Sequence, residues 1–409
     1  MPPLEQRFRL AFEYPVVFTD SLFQSSNLSL VDAVRRGTAP CPRRCQLVLE
    51  SAIDRLWPEL RADIEKYFAE HHQHLSQVSA PMILDGGEAC KNDPSIPPQL
   101  LQRFATVGLD RQCCVVVIGG GAFQDMVGYC ASLAHRGLRI VRVPTTVLSQ
   151  NDGGVGVKNG VNAFGKKNFL GTFAPPWAVL NDHAFLSTLA NRDLRAGMAE
   201  AVKVAVLRDD QFFDWICEHS QSLGELNDDA LRYLIRRCAE LHLEHITTGG
   251  DPFEQGSSRP LDLGHWSAHE LESLTQYELR HGEAVAIGLA IDALYSEQLG
   301  WLSTADCARI INCLHQLQLA THHPSLDLRA PSGERRVLAG IDEFRQHLGG
   351  DLRVPMLRGI AVVDEIQHFD AGALERALLA TSRSTLNPAP PPRILGNPKI
   401  PSAPNQGER

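Results

Sequence analysis

The run Cys113-Cys-Val-Val-Val-Ile118 is apolar, rich in β-branched residues and uninterrupted, and it ends in Gly119-Gly-Gly121. A strand of this kind is buried on both faces, as in a parallel sheet. Parallel strands need crossover connections, and a helical pattern begins at once with Phe123, Val127, Cys130, Ala131 and Ala134. A second buried strand follows at 139–143. Shorter strands are predicted at 46–50 and 81–84, helices at about 53–71 and 98–108, and a first strand over 7–19. Strands alternating with helices predict a doubly wound α/β domain over residues 1–188.

After Leu189 the pattern changes. Apolar residues recur with a helical period over 193–208, 210–222, 228–248, 263–275, 281–299, 304–317 and 340–347, so residues 189–385 are predicted to be a helical domain. Residues 386–409 are Pro-rich and poor in aliphatic residues, and are predicted to be a disordered tail. The net charge of −9 argues against nucleic acid or an anionic membrane as a partner, and leaves room for a local basic pocket. No run approaches the roughly 18 apolar residues of a membrane span. The ten cysteines are scattered without a Cys-x-x-Cys pair, and no signal-peptide core opens the chain, which together predict a cytoplasmic protein with reduced thiols.

Three stretches carry candidate chemistry. A strand, three glycines and a helix can cradle a pyrophosphate, although a tight turn uses glycine for backbone reasons too. The stretch 144–176 interleaves Asp152, Lys158, Lys167 and Asn168 with glycines and apolar residues, a pattern suited to an ordered loop that grips a phosphate or polyol. In the helical part, Glu200 and Lys203 share one helix face, His265 and His269 share another, and His281 opens an apolar helix. Glu200, His265 and His281 could ligate a metal; satisfied core residues are the alternative that the sequence leaves open.

Taken together, these segments resemble the dehydroquinate synthase superfamily, the sugar phosphate cyclases, over residues 45–365. The matching pieces are Gly86-Gly-Glu-Ala-Cys-Lys91, Gly119-Gly-Gly-Ala-Phe-Gln-Asp125, His135-Arg-Gly137, Pro144-Thr-Thr146, Asp152-Gly-Gly-Val-Gly-Val-Lys158, Gly165-Lys-Lys-Asn168, Gly197-Met-Ala-Glu-Ala-Val-Lys203, Gly264-His265 and His281-Gly-Glu283. The resemblance implies a Rossmann-like NAD-binding α/β domain followed by an all-α metal domain. It implies Glu200, His265 and His281 as ligands of zinc, with cobalt as an alternative ion. It implies NAD contacts from Glu50, Glu88, Lys91, Gly119, Gly120, Gly121, Asp125, Thr145, Thr146, Asp152, Lys167 and Thr188. Substrate contacts implied are Asp152, Lys158, Asn168, Lys203 and His269. Arg136 resembles the arginine that family dimers lend across the interface to the substrate phosphate, so a homodimer is implied.

The chemistry implied is a lyase-type cyclisation of a small sugar phosphate. NAD oxidises a ring alcohol, phosphate is eliminated, the cofactor returns the hydride, and an intramolecular aldol step closes a carbocycle. Dehydroquinate synthases carry Leu-Asn-Phe-Gly-His before the zinc histidine, whereas here the segment is Leu261-Asp-Leu-Gly-His265. Asp262 accepts hydrogen bonds only, would oppose a carboxylated substrate, and resembles the cyclases that take sedoheptulose 7-phosphate to valiolone-type products. The stretches 150–159 and 250–261 resemble the Ebo-type, epi-valiolone synthase-like branch. Dehydroquinate synthase itself and a metal-dependent polyol dehydrogenase are the alternative expectations; the latter has no need of Lys158, Asn168 and Arg136.

Overall fold

The structure, a computed structural model, describes residues 3–8, 10–37, 41–249, 252–253 and 259–384. The tail expected to be disordered lies outside the described residues.

In chain order the first part comprises β1 (Val16–Thr19), α1 (Ser29–Arg35), β2 (Arg43–Glu50), α2 (Ser51–Leu56), α3 (Leu60–Glu70), β3 (Leu75–Gln77), β4 (Met82–Leu84), α4 (Ala89–Asn92) and α5 (Ile96–Thr106). It continues with β5 (Cys114–Gly119), α6 (Gly121–Leu133), β6 (Arg139–Pro144), β7 (Lys158–Ala163), β8 (Lys166–Phe173) and β9 (Ala178–Asp182). Seven of these strands form one sheet in the order β1-β9-β6-β5-β2-β3, with β4 also on β2. Every pairing in it is parallel. β7 and β8 form a separate antiparallel hairpin.

Strand β5 explains why both faces of the sheet are covered. Cys114, Val116 and Ile118 enter one hydrophobic core, and Val115 and Val117 enter the other. Each such side chain, fully buried, contributes about 1.5–3 kcal/mol, which makes this strand a principal anchor of the sheet. Two expectations need correction. The first strand is Val16–Thr19 rather than 7–19, because its partner β9 offers register only from Val179 to Asp182. The single helix expected over 53–71 is two, because Pro58 disfavours helical geometry at Trp57, which adopts φ −128° and ψ 77°.

The second part is mostly helical: α7 (Asn191–Ala196), α8 (Met198–Arg208), α9 (Asp210–Gly224), α10 (Asp228–Thr248), α11 (His265–Leu274), α12 (His281–Gln298), α13 (Thr304–Gln316) and α14 (Ala339–His347). An antiparallel pair, β10 (Val354–Gly359) and β11 (Val362–Ile366), and a last helix, α15 (Ala371–Ser384), follow it. That strand pair and last helix were not expected from the sequence. The first four residues of β10 are buried against the helical core, so the strand lacks the alternating pattern that would have marked it. Among the described residues, no helix is long and apolar enough to cross a membrane.

Candidate active site

Glu200 lies on α8, where every residue from Met198 to Leu207 is buried. A carboxylate so placed needs a cation or donors. The Lys203 ammonium, one turn on, contacts Glu200 Oε2. The Nε2 atoms of His265 and His281 stand 3.7 and 3.4 Å from Glu200 Oε1. Apart from those contacts, neither Glu200 oxygen has a well-formed hydrogen bond among the described residues. Ligand atoms of Glu200, His265 and His281 all lie within 4.8 Å of one another.

Each histidine is the first residue of its helix, and close backbone packing sets both. Gly264, just before His265, has φ +77°, and a Cβ there would meet the Gly288 and Leu289 backbone at 2.8 Å. A Cβ on Gly282, just after His281, would lie 1.8 Å from the Ala196 carbonyl oxygen. Only glycine permits either approach. His265 Nδ1 lies 3.1 Å from the Leu263 carbonyl, so Nδ1 carries the proton of the neutral ring and Nε2 is left as a lone pair toward Glu200. Burial, with Lys203 nearby, holds the His265 pKa below its ordinary value. For His281 burial pulls the same way, but Glu272 and Glu200 outweigh it and push the pKa up to about 9. Two imidazole nitrogens facing one oxygen of a buried carboxylate fit a zinc-type cation.

The remaining candidates line the carboxyl edge of the sheet and the hairpin above it. Glu50 ends β2 and accepts the Gly120 N–H at 2.7 Å, bracing the glycine turn between β5 and α6. A Cβ on Gly119 would lie 2.5 Å from Phe123 and 2.8 Å from Glu50 Oε2. Thr145, after β6, is buried, and its hydroxyl meets no partner among the described residues; Thr146 bonds Ser149. An orphaned hydroxyl beside a glycine turn at a helix N-terminus fits a nucleotide phosphate. The buried Lys91 ammonium is held by Asp125 at 2.9 Å and contacts Asn168 Oδ1, and Glu88 accepts from Asn162 at 2.8 Å. Thr188 lines an open depression of about 430 Å³ with Leu56, Trp57, Pro58, Glu59 and Ser187.

Lys158 and Asn168 are not side by side. Lys158 opens β7 opposite Phe173, whereas Asn168 lies near the hairpin tip and donates its backbone N–H to Asn162. About four residues of strand, roughly 13 Å, separate them, so one phosphate can meet both only through the reach of the lysine. Arg136 is exposed after α6 with φ 63°. The His269 ring lies 5.4 Å from that of His265 and 5.9 Å from that of His281. Asp262 acts electrostatically on Lys203 and His265.

Three site residues went unread in the sequence. His242 on α10 has Nε2 3.1 Å from Asp152 Oδ1, and burial lowers its pKa. Arg142 on β6 is fully buried, and its guanidinium donates to the carbonyls of Gly153, Gly154, Gly156 and Lys158 and to Asn159 Oδ1. It therefore shapes the segment that carries Asp152 and Lys158. Glu272 on α11 accepts from both Lys167 and His281.

Fold and site together define a protein in which the carboxyl edge of a parallel sheet works alongside a His-His-Glu cluster in a helical part. Residues 81–196 match the 3-dehydroquinate synthase N-terminal family and residues 197–333 the 3-dehydroquinate synthase C-terminal family. The chain belongs to the 3-dehydroquinate synthase family, the sugar phosphate cyclases, and is an enzyme of that family. It is 35% identical over 323 residues to a 3-dehydroquinate synthase of Acinetobacter baumannii (strain SDF), covering 77% of this chain and 85% of the relative. It is 31% identical over 376 residues to a 2-epi-5-epi-valiolone synthase of Streptomyces glaucescens, covering 91% and 92%. Among solved structures, ValA, the 2-epi-5-epi-valiolone synthase from Streptomyces hygroscopicus subsp. jinggangensis 5008 with NAD+ and Zn2+ bound, superposes with a TM-score of 0.81 at 29% identity, covering 93% of this chain and 99% of ValA.

Proposed function

We propose that the chain is an NAD- and zinc-dependent cyclase that converts sedoheptulose 7-phosphate to an epi-valiolone-type carbocycle with loss of phosphate. The observation that carries the choice of substrate is Asp262. Its carboxylate, three residues before His265, acts electrostatically on Lys203 and His265 and accepts hydrogen bonds only. It would repel a substrate carboxylate there and receive a hydroxyl. The likeness to two valiolone synthases over more than nine-tenths of the chain supports the same reading.

In this reading Glu200, His265 and His281 hold the metal, and the glycine turn, Glu50, Glu88, Lys91, Asp125, Thr145, Thr146, Asp152, Lys167 and Thr188 hold the nucleotide. When bound, NAD supplies a hydride acceptor that is regenerated within the cycle, and zinc supplies a Lewis acid. Lys203 keeps its proton: burial alone would lower its pKa, but Glu200 and Asp152 raise it. Its ammonium therefore donates to a substrate oxygen and stabilises the charge that develops there. Asp152 is held by a His242 whose pKa burial lowers, which orients the carboxylate without adding a cation. Lys158 and Asn168, and Arg136 lent by a second copy of the chain in a homodimer, grip the phosphate and steady it as it leaves.

A second reading, 3-dehydroquinate synthase, is favoured by His269 beside the cluster and by the 35% identical relative. The test incubates zinc-loaded protein and NAD with sedoheptulose 7-phosphate or with the seven-carbon acid phosphate of the shikimate pathway, following phosphate release and product by NMR. Turnover of the first supports the proposal; phosphate released only from the acid reverses it, and net NADH accumulation refutes a cyclase. Asp262→Asn should shift the rate ratio toward the acid, and an unchanged ratio removes Asp262 as the discriminating residue.

A further inference from the structure

Glu272 stands in neither expected set of contacts, yet it touches both. It lies on α11 seven residues after His265 and is 4% exposed. Lys167 Nζ, from β8, lies 3.0 and 2.9 Å from its two oxygens. His281 Nδ1, from the first residue of α12, lies 3.0 Å from Oε2. One buried carboxylate thus joins the hairpin over the sheet edge to the metal cluster.

The geometry sets the histidine. With Nδ1–H donated to Glu272, Nε2 faces Glu200 and becomes the metal-binding lone pair once its own proton is displaced, and the ring is held by a charge-assisted bond. The lysine is set as firmly, because both of its contacts go to a carboxylate withdrawn from water. His269, Glu272 and His281 also bring ligand atoms within 4.8 Å of one another. The Lys167 ammonium already occupies Glu272 there, which disfavours a second cation at that point.

We propose that Glu272 is a positioning residue shared by the two cofactor sites: it orients His281 for the metal and, through Lys167, anchors the β7–β8 hairpin against the helical part for the nucleotide. The inference rests on the reading of Glu200, His265 and His281 as metal ligands and of Lys167 as a nucleotide contact.

The test uses the full chain, stripped of metal, and reads two constants besides turnover: zinc affinity by competition with a fluorescent chelator, and NAD affinity by quenching of tryptophan fluorescence. Glu272→Gln keeps the shape and removes the charge. Read above about pH 9, where His281 has lost its proton in both proteins, it should weaken zinc by about 10–100-fold and NAD several-fold at wild-type helix content. Lys167→Met keeps the Glu272–His281 bond, so NAD should weaken while zinc affinity holds within about threefold. Should Glu272→Gln fail to fold, Glu272→Asp, which withdraws the charge by one methylene, should weaken both constants. A Glu272 variant that folds and leaves either constant within about twofold of wild type overturns the shared role. So does Lys167→Met if it weakens zinc as much as Glu272→Gln does. A wild-type chain that takes up no zinc refutes the metal reading itself, an outcome distinct from these.

Discussion

Zinc affinity should depend steeply on pH, and the structure sets the window. In the metal-free protein His281 holds its proton up to about pH 9, because Glu272 and Glu200 outweigh the burial that would lower its pKa. Nε2 can bind a metal only after that proton leaves. A histidine of ordinary pKa, about 6.5, would already be mostly neutral at pH 7. Here the proton must be displaced from a site about two pH units higher, at a cost of about 2.7 kcal/mol, or roughly a hundredfold in apparent affinity at pH 7. His265 adds no slope in this range, because burial and Lys203 hold its pKa below the ordinary value. The expected result is a dissociation constant that rises about tenfold per unit as pH falls from about 9 to 7. Chelator competition over that range, corrected for the chelator's own protonation, measures it. In Glu272→Gln the largest cause raising the His281 pKa is gone, so the slope should flatten near neutrality even though zinc binds more weakly. An affinity constant across this range in the wild type would refute the assignment of the proton to His281.

Three further outcomes follow from particular contacts. Gly264→Ala should cost about 2–4 kcal/mol and most of the bound zinc, because a Cβ at φ +77° is strained and meets the α12 backbone at 2.8 Å; melting temperature and metal content are the measurements. Asp292, fully buried, accepts from Trp266 Nε1 and the Gly264 N–H, yet burial raises its pKa from 3.8 to about 7. The folded state thus keeps a proton that the unfolded chain loses, so this group makes stability fall as pH rises from about 4 to 7, by on the order of 4 kcal/mol; urea midpoints across that range should fall less in Asp292→Asn than in the wild type, and equal slopes would refute it. Arg142→Lys should leave several of the carbonyls at Gly153, Gly154, Gly156 and Lys158 without a donor, costing about 2–4 kcal/mol and raising the hydrogen-exchange rates of residues 155–159.

The sequence was most legible where burial is symmetric or periodic. Strand β5 reads as a doubly covered strand because its side chains do enter two different cores. Most helices of the second part were read to within a few residues, from runs of apolar residues at helical length, but the single helix expected over 193–208 is two, α7 and α8, which part at Gly197, and α15 was missed. What failed was local or long-range: Pro58 divides α2 from α3, β1 can be only as long as β9 permits, and β10 hides its strand character in a run of buried residues.

At the site, side-chain chemistry was legible and assembly was not. Glu200, His265 and His281 were readable as acid and imidazoles on apolar helices. Their meeting depends on two contacts that no spacing encodes, Gly264 against α12 and Gly282 against the Ala196 carbonyl. The residues that went unread divide by the same criterion. His242 and Arg142 have no local signal, because each acts on a partner that only the fold brings near. Glu272 did have one. It stands three residues after His269 and seven after His265, on one helical face, so the face that points a histidine at the metal also carries an acid toward it. A histidine pair at helical spacing is therefore weak evidence for a metal, but a carboxylate one turn further along the same face supplies the partner that such a histidine needs for its second nitrogen. In this chain that carboxylate serves His281, on the neighbouring helix, rather than either histidine of its own helix. The rule that follows is to seek the second partner of a candidate ligand on the helix packed against it as well as on its own.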